Sequence, residues 1–181
     1  MKILKVLTKS AICLVVSTGF LTLPANAQKS QKLTDPEIAS VAVTANKIDI
    51  DYAKIAAKKS KNQQVIDFAK TMEKDHGAVI DQAVALVTKL GVTPKDNATS
   101  KSLNAQAVKT RKMLNSKSGK AFDKAYVDNE VAYHAAVINA VESVLIPDAS
   151  NKELHDLLVS AVPLFKAHLE HAKMLQKSLG K

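Results

Sequence analysis

Four long stretches of this chain repeat their apolar residues at helical spacing, and no segment alternates apolar and polar residues over a strand's length. That pattern admits an all-α fold and little else. Thr34-Asp35-Pro36-Glu37 reads as the start of the first helix: Asp35 is a capping residue, Pro36 suits the first helical position, and Thr34 with Glu37 has capping-box spacing. This helix runs to about Lys59, and the break at Ser60-Lys61-Asn62 opens a second that continues to Leu90 and stops at Gly91. From Gly91 to Ser118 the chain is polar, with one weakly apolar piece, Leu103 to Leu114, suited to a minor helix. The third long helix spans about Gly119 to Leu145. After the turn at Ile146-Pro147-Asp148-Ala149, Ser150 and Glu153 have capping-box spacing ahead of a fourth that reaches about Leu179.

Tight turns make antiparallel neighbours, so two helical hairpins joined by one long connection predict a ferritin-like four-helix bundle with its crossover between helices 2 and 3. A simple up-and-down bundle has no use for so long a link. The length of 181 residues and a hydrophobic content of 46% suit one domain, placed at residues 36–181 behind a loose stretch at 28–35.

Residues 1–27 read differently. Lys2, Lys5 and Lys9 precede an apolar run from Ala11 to Leu23 that ends in Ala25-Asn26-Ala27, the layout of a secretory signal peptide cleaved near Ala27. The run is short for a membrane span, which needs about 20 apolar residues. Cys13 lies inside it, and Ser10-Ala11-Ile12 lacks the small residue that precedes a lipidated cysteine. The expectation is an exported protein, periplasmic or associated with the outer envelope. Residues 28–181 contain no cysteine, hence no disulfide, thiolate ligand or thiol nucleophile.

Beyond Ala27 the chain carries 23 basic and 17 acidic residues, a net charge of +6. The excess falls partly on Lys54, Lys58, Lys59 and Lys61 and partly on the stretch from Lys95 to Lys120. With one arginine and no aromatic residues among these lysines, base stacking and base readout lack their instruments, so nucleic acid is not an expected partner. The lysines read as a solvated surface, with weak contact to an anionic membrane as the remaining functional reading. Oligomeric state is not legible here.

The chemistry lies in what sits on the apolar faces. Turned at 100° per residue, the second helix buries Val65, Ala69, Met72, Ile80, Ala83, Val87 and Leu90, with His76 on the midline. On the third, Val127, Val131, Val137, Ile138, Val141 and Leu145 flank His134, with Glu130 one turn earlier. The fourth places His168 among Leu154, Leu157, Ala161, Leu164, Phe165, Ala172 and Leu175, with His171 toward one edge. On the first, Ile38, Ala42, Ala45, Tyr52, Ala53 and Ala56 surround Asp49.

Each long helix thus carries an ionisable group near mid-length on the side it must bury. Burying such a group without a partner costs roughly 2 to 7 kcal/mol when it is neutral and more when charged. Two resolutions are open. One is a hydrogen-bonded polar layer that fixes which helix faces which. The other is a metal site built from Asp49, Glu73, His76, Glu130, His134 and His168, with iron, manganese or zinc favoured over copper(I) because no sulfur is present. Glu73 and His76 have the Glu-x-x-His spacing of ferritin-like metal sites, whereas Phe165 stands where a second such motif needs its glutamate. Counted from the hairpin turns, His134 and His168 differ in height by about six residues, roughly 9 Å. Gly77 weakens the second helix by about 1 kcal/mol relative to alanine, through tolerance or to admit a close neighbour.

Val65, Phe68, Met72 and Asp75-His76, then Ser118-Gly119, Phe122-Asp123 and Tyr126, then His134, and finally Pro163-Leu164-Phe165 with His168-Leu169 form an ordered set. It resembles the bacterial family known as domain of unknown function 4142, whose members are often labelled outer membrane proteins. The resemblance covers about residues 36 to 178. It implies an exported ferritin-like bundle with no assigned reaction, and Asp75, His76, Tyr126, His134 and His168 match the family's polar signature. Asp49 and Asp51 stand where such proteins tend to carry glutamates. A nucleophile paired with a base, a glycine-rich phosphate loop and a dinucleotide fingerprint are all missing from the sequence. The function expected is a non-enzymatic binding or structural role in the envelope, a stress-related role among its forms, with metal sequestration or oxidation as the alternative.

Overall fold

A computed structural model describes residues 32–180; the expected signal peptide and Cys13 lie outside the described residues. Among these residues the secondary structure is helical and contains no strand. Helix α1 spans Asp35–Lys59, α2 Gln63–Lys89, α3 Ala98–Asn115, α4 Gly119–Ala140, α5 Ile146–Asp148 and α6 Lys152–Leu179, with a π-helical turn, Val141–Leu145, between α4 and α5. None of the described helices is long and apolar enough to cross a membrane.

The helix starts follow local chemistry. Thr34 caps α1, and the Glu37 carboxylate accepts hydrogen bonds from the Thr34 N–H and hydroxyl at 3.0 and 2.7 Å. Asp35 does not cap. Its carboxylate accepts instead from the backbone N–H of Ser150 and Asn151, tying the start of α1 to the start of α6. The cap of α6 is likewise Asn151 rather than Ser150, because the Asn151 side chain takes the N–H of Glu153 and Leu154. At the end of α2, Gly91 adopts φ +62°. Its N–H bonds to Thr88 and that of Val92 to Val87, the paired bonds that close a helix around a left-handed residue.

Helices α1, α2, α6 and α4 pack in that cyclic order, and every adjacent pair is antiparallel. The Gly91–Ser118 connection is what makes this possible. Its polar sequence hides a helix longer than the minor one expected: α3 begins beside Pro36, runs along α1 past the Arg111–Asp51 pair, and ends where Lys59 donates to the Leu114 and Asn115 carbonyls. It buries only Ser100, Ala107 and Leu114, one residue every two turns, which is why its apolar signal is weak. The chain thereby returns to the far end before α4 starts, giving the two-hairpin bundle with one long crossover.

Two apolar cores lie at opposite ends. The first is aromatic, with Tyr52, Phe68, Phe122 and Tyr126 packed among Val65, Met72 and Leu175. The second joins Ile38, Val41, Ile138, Val141, Leu145, Leu154, Leu158, Val162 and Phe165. Here the expected stripe on α2 is corrected: Ile80, Ala83, Val87 and Leu90 are only half-buried, and α2 has no buried residue beyond His76. On α6, Leu158 and Val162 are buried in place of Leu157 and Ala161. Gly77 does not admit a close neighbour, since a Cβ there meets nothing within 4 Å. Gly77→Ala is therefore expected to stabilise the protein by about 0.5–1 kcal/mol, read from a urea midpoint that rises without a change in slope.

Candidate metal centre

Between the two cores lies a polar layer drawn from all four long helices: Asn46 and Asp49 of α1, His76 of α2, Glu130 and His134 of α4, and His168 of α6, all buried. Asp49 and Glu130 are completely inaccessible. The three imidazole rings sit with centroids 5.2 to 5.5 Å apart. The large height difference expected between His134 and His168 is therefore not present. The turn extends to Asp148 and α6 starts at Lys152. Counted from those ends, the two histidines differ by two residues, about 3 Å of rise, which side chains span. Pro147 shapes that turn: it has no N–H to return to Ser143, and the preceding turn widens into the π-helical form.

The hydrogen bonds settle which ring nitrogens carry protons. Asn46 spends its amide N–H on the Ala42 carbonyl at 2.8 Å, so its oxygen is what meets His76 Nδ1 at 2.7 Å, and Nδ1 is the donor. His134 Nδ1 donates to the Glu130 carbonyl at 3.1 Å. His168 Nε2 donates to the Asp75 carboxylate at 3.0 Å, leaving its Nδ1 buried without a partner. Each histidine is thus pinned through one nitrogen and presents the lone pair of the other, as metal-ligating histidines do. Phe165 stacks on the His76 ring at 5.5 Å with planes 7° apart and holds its orientation.

Three lone-pair atoms converge. His76 Nε2 and His134 Nε2 are 3.4 Å apart, and Asp49 Oδ2 lies 3.7 Å from each. Neither nitrogen has a proton to share with the other, so the short separation is not a hydrogen bond between neutral rings. The 3.7 Å separations are also too long for hydrogen bonds. The point equidistant from the three atoms lies about 2.1 Å from each, within the usual 2.0–2.2 Å for nitrogen and carboxylate ligands of a divalent zinc-sized ion. Around this triangle, ligand atoms of His76, His134 and His168 fall within 4.8 Å of one another, and so do those of Asp49, Glu130 and His134.

The electrostatics record the same crowding. Burial pushes the Asp49 carboxyl up to about 8. Burial, with Asp49 adding to it, holds Glu130 well above the carboxylate range. Burial lowers His76 to about 2, helped by the other two histidines, and His134 to about 4. His168 is also lowered by burial, against the pull of Asp75. All four carboxylate oxygens of Asp49 and Glu130 are buried without a hydrogen-bond partner, as is the Tyr126 hydroxyl. Each such orphan costs about 1–3 kcal/mol, and a cation in the layer would satisfy the carboxylates together.

Of the six residues expected in a metal site, Asp49, His76, Glu130, His134 and His168 fall in the two sets, while Glu73 is half-buried and belongs to neither. Its neighbour Asp75 has the role of orienting His168. Sequence reasoning misses Asn46, although its position three residues before Asp49 on the same helix face marks it. Tyr133, whose hydroxyl donates to the Ala45 carbonyl at 2.9 Å, flanks the layer.

Fold and site together define a helical bundle with a buried cluster of histidines and carboxylates. The chain belongs to the family described as Domain of unknown function (DUF4142), whose model matches residues 21–175. No curated protein and no solved structure matches it.

Proposed function

We propose that this protein binds one divalent first-row metal ion, iron, manganese or zinc, through Asp49, His76 and His134, with Glu130 and His168 lying close to the same ion. We propose as well that it does so outside the cytoplasm, after cleavage near Ala27. The observation that carries the metal reading is the triangle of two imidazole lone pairs and one carboxylate oxygen with a centre at ligand distance from all three. Two histidines and one carboxylate with further positions open are a donor set for iron(II), manganese or zinc. Sharing of His134 between the two ligand sets argues for a single ion. Its Nδ1 is committed to a backbone carbonyl, and one remaining lone pair serves one ion.

The export reading is supported by the basic, apolar and small-residue order of residues 1–27.

Protein purified without a chelating column, stripped, and then offered each metal in turn tests the reading. About one equivalent per chain, with a raised melting temperature, is expected. Less than about a tenth of an equivalent for all three metals, with no thermal shift, overturns it and leaves the polar layer as a device for helix registry. Asn46→Ala is expected to weaken the binding roughly 10- to 100-fold in a competition titration, because His76 then loses the acceptor that fixes its tautomer.

A further inference from the structure

The bundle is filled unevenly on the two sides of the polar layer. The end built on Tyr52, Phe68, Phe122 and Tyr126 buries those side chains almost completely, whereas the other end holds a cavity of about 280 Å³. Its walls are apolar and short: Ala42 of α1, Ala83 of α2, Ala140 of α4 and Ala161 of α6 stand where longer side chains would meet across the core. The half-buried face of α2, Val79, Ile80 and Val87, looks into it, which is why that face never becomes fully buried. Sequence patterning made this face as apolar as any other in the bundle, so it is built for apolar contact.

The cavity adjoins the metal layer and shares part of its wall. Ala45, Asn46, Tyr133, Val137 and Phe165 line both it and the small pocket around Asp49, His76 and His134. At its other side the solvent-exposed Thr99 and Gln106 of α3 and Ala136 of α4 belong to its lining, which puts an opening at the seam between α3 and α4.

We propose that this cavity holds the acyl chain of a medium-chain carboxylic acid whose carboxylate reaches the metal ion of the polar layer. Size sets the chain. A dry apolar cavity of about 150 Å³ accepts benzene, so nearly twice that volume suits roughly a dozen carbons at most. Chemistry sets the head: the walls offer no cation, and the one strong acceptor of a carboxylate in line with the cavity is an ion held by two histidines and one aspartate, which leaves coordination positions open. An amphiphile with an apolar tail and an anionic ligand atom satisfies both ends. The placement of the carboxylate rests on the metal-binding reading, while the seat of the chain rests on the cavity alone.

Calorimetric titration of delipidated protein with decanoate, in zinc-loaded and metal-free forms, separates the two, with zinc content measured on the same samples. The expected result is saturable binding of one decanoate per zinc-loaded chain, roughly tenfold weaker without zinc. Ala83→Phe fills the cavity and should abolish decanoate binding while leaving zinc content unchanged; Ala161→Leu, a smaller filling, gives the same reading where the larger one fails to fold. Absence of saturable binding to the zinc-loaded protein, or binding that survives both fillings, overturns the proposal. Equal affinity with and without zinc overturns the carboxylate's placement. If the protein takes up no zinc, the placement of the carboxylate on a zinc ion fails on that measurement, and decanoate binding blocked by Ala83→Phe still seats the chain in the cavity.

Discussion

Replacing His134 by alanine is expected to abolish metal uptake, weakening it by well over the roughly 100-fold that loss of an outer hydrogen bond brings. His134 is the one residue common to both ligand sets, and its Nε2 is a corner of the triangle completed by His76 and Asp49. The other groups have little freedom to compensate: Asn46 and Phe165 hold His76, and Asp75 holds His168. Truncating a fully packed side chain also lowers stability, so the variant's urea midpoint should fall as well. The stability loss alone would occur under a purely structural role. What distinguishes the metal reading is the pairing with Asp49→Asn, which keeps the shape and removes the charge. That variant should lose the metal while its metal-free form stays folded. Retention of near-stoichiometric metal by either variant would sink the triangle as the site.

The second large effect is a divergence in stability with pH between metal-free and metal-loaded protein. In the folded metal-free chain Asp49 is raised to about 8 from an ordinary 3.8, so between those values the native state holds a proton that the unfolded chain has released. That contribution is full below the unfolded value and is lost as pH rises toward 8. His76 and His134 act in reverse. Lowered to about 2 and 4 from 6.5, they withdraw stability as pH falls below 6.5, because the unfolded chain then takes protons the folded one refuses.

The two tendencies oppose each other up to pH 6.5; above it only the carboxyls act. At 1.36 kcal/mol per pH unit, Asp49 alone removes about 2 kcal/mol between pH 6.5 and 8, with Glu130 acting in the same direction. A bound cation removes this slope, since it takes the ionised carboxylate and competes with protons for it. Metal held at a hundred times its dissociation constant at pH 6.5 adds about 2.7 kcal/mol there. At pH 8 the two forms should therefore differ by roughly 5 kcal/mol, or about 10–20 °C in Tm for a domain of this size. Scanning calorimetry at pH 6.5 and 8 with and without metal measures it, and parallel pH profiles for the two forms would refute it. Asp49→Asn should make the metal-free profile shallower, because an amide does not ionise and only Glu130 then acts.

Much of the layer was legible from single helices. Asp49, His76, His134 and His168 each fall on the midline of an apolar stripe, and a stripe's direction depends only on its own 100° periodicity. Depth was not legible in the same way. Counting along the chain separates His134 and His168 in height, because Pro147 and a widened turn lengthen the hairpin beyond the point where periodicity stops. Glu73 has the right spacing from His76 and still lies outside the ligand sets, while Asn46 and Asp75, with no metal motif to announce them, hold two of the rings. Those assignments depend on which neighbour faces each side chain, and no helix carries that information alone.

The amino-acid sequence by itself determined the helices, their hairpins, most of their end signals, and which side of each is apolar, because these follow from interactions a few residues apart. Tertiary structure alone decided that α3 would run the length of α1, that α2 would leave half its apolar face on a cavity, and that three lone-pair atoms from three helices would meet around one point. Each of these is a distance between residues 27 or more positions apart in the chain, set by how whole helices pack rather than by anything local to them.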